Sequence, residues 1–107
     1  MRAQRTDDNV DLLVVHLVLT YLWFDEMTAG RKHMEYRAMT PHWRRLLWDR
    51  RDQIDVARFS RGYTATTITR PVYTVDVGPC PYDGWDEDYY RLHLGPIMHN
   101  WLLYRQH

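Results

Sequence analysis

"RKHMEYRA", residues 31–38, decides how the chain is to be read. Its length and flanks suit a strand, yet neither face is apolar. In a regular strand His33, Glu35 and Arg37 point to one side, and Lys32, Met34 and Tyr36 to the other. The same stretch holds Lys32, the only lysine beside thirteen arginines, and Glu35, one of three glutamates beside eleven aspartates. A strand this polar in the first half of the chain needs a reason other than core packing. Lys32 and Glu35 differ in strand parity. They meet only if Lys32 lies in the preceding turn or a bulge intervenes.

Upstream, "LLVVHLVL" (12–19) reads as a strand buried on both faces, with His16 a satisfied core histidine. Thr20 is placed to cap a short helix over 21–29, with Trp23, Phe24 and Met27 as its apolar face. Gly30 suits the left-handed position beyond its end. Downstream, "TPHWRRLLWDRRD" (40–52) predicts a helix capped by Thr40 with Pro41 at its first position. Trp43, Leu46, Leu47 and Arg50 would face inward. "DVARFS" (55–60), "RPVYTVDV" (70–77) and "YYRLHLGPI" (89–97) read as further strands. In the second, Tyr73, Val75 and Val77 share a face, and Pro71 marks an edge or a bulge. In the third, Tyr90, Leu92 and Leu94 share a face. "GPCPYDGWDED" is a loop, and the tail from Met98 fits either a last strand or a docked helical turn.

The chain has 107 residues, 45 % apolar and 26 % charged, with zero net charge. This suits one domain over residues 12–107 behind a mobile, polar arm over 1–11. No window reaches the roughly 18 consecutive apolar residues of a membrane span. The single Cys80 excludes an internal disulfide framework and points to a cytoplasmic setting. The six histidines show no paired spacing, so no metal site is expected, and no cofactor motif is present. Zero net charge argues against a generic nucleic-acid binder but permits a local basic pocket. Ser60, Thr64 and Thr66 lack a convincing base partner, which sets serine-type chemistry aside.

Four ordered blocks carry a family resemblance. They are Gly30, Lys32, Glu35 and Arg37 as G-x-K-x-x-E-x-R; Pro41, Trp43 and Leu46; Phe59, Gly62 and Tyr63; and Tyr90, Leu92, Leu94 and Gly95. Over roughly residues 14–97 the chain resembles the ASCH domain of the PUA-like superfamily, in its small bacterial and phage branch. The resemblance implies an α+β fold: a small, mostly antiparallel β-barrel of five to six strands with two or three short helices and a cleft on one side. It also implies binding of RNA or a modified nucleotide, or hydrolysis by a ribonuclease or an amidohydrolase acting on acetylcytidine. The amidohydrolase branch carries a Thr three residues after the motif Lys, where this chain has Glu35. It also uses a later Glu, for which Glu87 is the downstream candidate.

Lys32, Glu35 and Arg37 are therefore the expected polar floor of a cleft, with Arg61, Tyr63 and Trp85 as further ligand-binding residues. If the protein is an enzyme, Lys32 and Glu35 are the catalytic pair. Lys–Glu–Arg chemistry suits a phosphate and base-edge reader, and also proton transfer. An ion-paired network that merely pins the strand remains open. Trp23 and Trp43 read as core. Arg44, Arg45, Arg58, Arg61 and Arg70 read as a phosphate-contacting rim or as solvated surface charge. The expected partner is RNA or a nucleoside or nucleotide, with no membrane, and a monomer is expected. A protein-interaction domain with an unused cleft is the remaining alternative.

Overall fold

The structure, a computed structural model, describes residues 11–99. The expected arm lies outside the described residues save Asp11, as does the tail beyond His99. The elements are β1 (Val14–Leu19), α1 (Tyr21–Thr28), β2 (Met34–Ala38), α2 (Pro41–Trp43) continued by a π-helical turn (Arg44–Trp48), β3 (Val56–Arg61), β4 (Thr67–Pro79) and β5 (Asp88–Leu94). The strands form one curled sheet in the order β1-β3-β4-β5-β2, a half-barrel with β1 and β2 as its edges. Only β1 and β3 pair in parallel; the other three pairings are antiparallel. A parallel pair needs a long crossover. Here α1, β2 and α2 supply it, and they carry the chain from one edge of the sheet to the other and back.

β1 is half-buried rather than buried on both faces. Val15, Leu17 and Leu19 point inward, whereas His16 and Val18 are exposed. Only one face of β1 is covered by the core, so His16, on the other face, is a surface residue and not a core one. They join Phe24 and Met27 of α1, Leu47, Ile54, Phe59, Tyr90, Leu92 and Leu94 in one core. Fully burying a side chain of the size of Leu17 or Phe59 contributes roughly 1.5–3 kcal/mol. The alternation in β5 is as expected, with Tyr90, Leu92 and Leu94 inside.

Thr20 caps α1 through Oγ1, which accepts from Trp23 N at 3.3 Å, and Gly30 takes φ 81° just past its end. The buried face is Phe24 and Met27; Trp23 is only partly buried and turns toward the cleft described below. Thr40 and Pro41 start α2 as expected, but the next turn widens. Asp49 N donates to Arg44 O, five residues back. The widening changes which residues face in: Leu47 is fully buried while Leu46 is exposed.

β4 begins earlier than the sequence suggests and runs for 13 residues, serving both halves of the sheet. The register slips between Val72 and Thr74, a bulge placed directly after Pro71. The extra residue is Tyr73, which is 70 % exposed, and Val72 and Val75 take the inward positions. Val77 is likewise exposed. Among the described residues no helix is long and apolar enough to cross a membrane.

Candidate functional site

β2 starts at Met34, so Lys32 stands in the turn before the strand. That placement removes the parity conflict. Lys32 and Glu35 converge, with Nζ 3.1 Å from Oε1, and both are buried, at 6 % and 4 % exposure. Lys32 Nζ also donates to Met34 O at 2.8 Å and lies 3.5 Å from the Tyr82 hydroxyl. The other oxygen of Glu35 accepts from Arg37, from Nη2 at 2.6 Å and Nε at 3.0 Å. One carboxylate thus holds two cations, leaving the group with a net positive charge. Buried ion pairs roughly break even against their desolvation, so stability alone is a weak reason for this group.

Arg37 makes a further contact. Its Nη2 donates to Val18 O at 3.0 Å. Val18 is on β1 and Arg37 on β2, the two edges that share no backbone ladder. The guanidinium therefore bridges the open seam of the half-barrel, and it is also stacked over Trp43 at 4.9 Å.

A cleft of about 480 Å³ opens at this seam. Lys32, Glu35 and Arg37 form its floor. Its walls are aromatic: Trp23, Tyr36, Tyr82, Trp85 and Tyr89. Trp23 and Tyr82 are stacked at 5.1 Å, and Tyr36 and Trp85 meet Tyr82 edge-on. The Lys32 ammonium lies 5.4–5.5 Å from the ring centres of Trp23, Tyr36 and Tyr82, within cation–π range. Burial pushes the Tyr36 phenol pKa up, so it stays protonated as a neutral group. The volume falls in the range of small-molecule sites, and apolar walls around a few convergent polar groups are the usual composition of such sites.

Tyr82 and Trp85 sit at the two ends of one tight turn, closed by Trp85 N donating to Tyr82 O at 3.1 Å. Gly84 takes φ 83° in its third position, where a side chain would be strained. The turn delivers both rings to the same wall. Tyr82 is the main site residue that sequence reasoning misses. The available signal is "YDGW", two aromatics spaced around Asp-Gly.

Of the expected site residues, Lys32, Glu35, Arg37 and Trp85 line this cleft, and Arg61 and Tyr63 do not. Arg61 is paired with Asp25 at 3.0 Å and stacked on Tyr21 at 4.1 Å. Tyr63, 96 % exposed, is in the β3–β4 connection. Trp23 belongs to the cleft wall as well as to the core margin. The arginine rim does not assemble: Arg44 pairs with Asp49, and Arg70 is buried. Glu87 is exposed and borders a different depression beside Met39 and Thr40. Among the described residues no cluster of three or more His, Cys, Asp or Glu could hold a metal ion.

No protein-family model matches the chain, and no curated protein and no solved structure is found to be similar to it.

Proposed function

We propose that the seam cleft binds a purine or pyrimidine ring, from RNA or from a modified nucleotide, and that the chain is an ASCH-type module of PUA-like fold. The observation that carries this reading is the pairing of aromatic walls with a buried Lys32–Glu35–Arg37 floor in one cleft of about 480 Å³. A heterocycle slots against Trp85 and the Trp23–Tyr82 stack. One N–H of Lys32 reaches only as far as Tyr82 at 3.5 Å, and it is the donor that turns to a base carbonyl or ring nitrogen. Glu35 retains lone pairs for an exocyclic amine. The half-barrel with short helices and the four sequence blocks support the family reading.

Equilibrium binding of short RNAs and modified nucleosides tests it, with wild type set against Trp85→Ala and Lys32→Met. Trp85 is partly exposed, so its truncation leaves the core intact. Loss of one stacking ring should weaken binding by about 1–3 kcal/mol. Binding that is weak and the same in all three proteins would sink the proposal.

The 3.1 Å approach of Lys32 to Glu35 favours one second reading, a hydrolase using this pair. Single-turnover assays on RNA and acetylcytidine decide between the two: product formation abolished by Lys32→Met would establish the hydrolase. The acetylcytidine reaction is the less supported. Glu35 occupies the position of the amidohydrolase branch's Thr, and Glu87 lies outside the cleft.

A further inference from the structure

A second cavity, of about 600 Å³, is lined by His33, the neighbour of Lys32 in the chain, and shares no lining residue with the cleft. Arg70 of β4 lines it, 3 % exposed. Its guanidinium donates from Nε to Gly95 O at 2.6 Å and from Nη1 to Lys32 O. These are two of the five N–H bonds that a guanidinium offers. The other three have no protein acceptor among the described residues, and no carboxylate pairs with Arg70. The remaining lining includes His33, Tyr73 and His99, and no acidic side chain.

A buried charge is normally paired, because desolvation otherwise disfavours it strongly. Burial pulls the pKa of Arg70 below the usual arginine value, and no carboxylate opposes the shift. Pinning two carbonyls does not need a full charge; a neutral amide side chain donates two hydrogen bonds with far less desolvation. Nor does the end of α1 absorb the charge. The carbonyls of Asp25, Glu26 and Met27 are already taken by the N–H groups of Ala29, Arg31 and Gly30. Gly95 completes the arrangement. A Cβ there would lie 2.6 Å from the Pro71 ring and 2.7 Å from the Tyr73 hydroxyl, so only glycine lets Tyr73 lie across the backbone at the cavity wall.

We propose that this cavity is a second binding site, for a small oxyanion of the phosphate type, with Arg70 as the principal donor and His33, His99 and Tyr73 around it. A planar guanidinium with free N–H bonds matches an oxyanion in charge and geometry. The inference is independent of what the seam cleft binds.

The test uses inorganic phosphate as the probe. Thermal unfolding of the full chain is followed against phosphate at fixed ionic strength, with chloride as the reference salt. Ligand bound only to the folded state raises the unfolding temperature in a saturable way. The expected result is saturable stabilisation by phosphate and none by chloride. It should be lost in Arg70→Gln and at least about tenfold weaker in the double variant His33→Ala, His99→Ala. It should persist in Lys32→Met, which alters only the cleft. Both histidines are exposed, so the double variant keeps the test decisive if Arg70→Gln fails to fold. Equal effects of phosphate and chloride overturn the proposal. So does a phosphate response unchanged in the double variant, or one abolished by Lys32→Met, which would assign the anion to the cleft.

Discussion

Lys32 and Arg70 are the two buried cations of the described structure, and they meet at residue 32, where the Arg70 guanidinium donates to the Lys32 carbonyl. Arg70 holds the carbonyl of residue 32 while Glu35 holds its ammonium. Lys32 has a carboxylate and three aromatic rings around it. Among the described residues Arg70 has two carbonyls and no counter-charge. The residue types suit the two tasks. A compact ammonium reaches acceptors in three directions from one point, whereas a planar fork reaches two backbone carbonyls at once. Burial alone therefore does not set the energetics of a cation. Who supplies the opposite charge does.

Removing that opposite charge should have the largest effect. Glu35→Gln strands Lys32 and Arg37 together, and about 3–5 kcal/mol of unfolding free energy should be lost in urea titration. Arg70→Met is the counterpart on the other side. It orphans the carbonyls of Gly95 and Lys32 but also removes an uncompensated charge. The expected loss is about 1–3 kcal/mol, below that of Glu35→Gln. A larger loss from Arg70→Met would break the comparison, because it would mean that Arg70 is the better-compensated cation. Lys32→Met should be milder still, about 0.5–1.5 kcal/mol, since Glu35 keeps both bonds to Arg37.

The smallest effect is expected at a third ionic group, Asp76 with Arg91 and His93, which lies nearer solvent. The hydrogen bonds from Arg91, aided by the His93 ring nitrogen 3.1 Å from the carboxylate, hold the Asp76 carboxyl below its ordinary pKa. A folded-state pKa that is depressed stabilises the fold above the unfolded value. That contribution is lost as pH falls through the depressed value. Asp76 is 39 % exposed, so solvent screening should keep the contribution under about 1 kcal/mol. Unfolding free energy measured against pH should show wild type above Asp76→Asn at neutral pH and the two converging in acid. A gap that widens in acid would reverse the sign of this assignment.

Much of this could be read from the chain, and the failures have physical causes. The β5 alternation, the Thr20 and Thr40 caps, Gly30 beyond α1 and a break in β4 near Pro71 are local signals, and local signals survive folding. Which face of β1 is covered depends on which side of the sheet the core of α1 and the later strands packs against. The strand is apolar on both faces, so its composition cannot tell. Leu46, expected inward beside Leu47, is exposed because one widened turn shifts which residues face the core, and no residue type demands that turn. At the site, Lys32 and Glu35 are visible as rare residues, with Arg37 beside them, in an unsuitable strand. Their convergence hinged on where the strand begins, an offset finer than pattern reading resolves. Tyr82 was hidden for a different reason. A loop aromatic joins a wall only through contacts made by distant elements, here Trp23 and Tyr36.

The bridge from Arg37 to Val18 has a mechanical meaning. In a closed barrel, widening a cleft between neighbouring strands means breaking a ladder of backbone bonds. Between β1 and β2 there is no ladder, and the described side-chain hydrogen bond across the gap comes from one guanidinium. Opening the cleft at that gap would break this one side-chain hydrogen bond and no strand pairing, so the cost of widening falls on Arg37 rather than on the sheet.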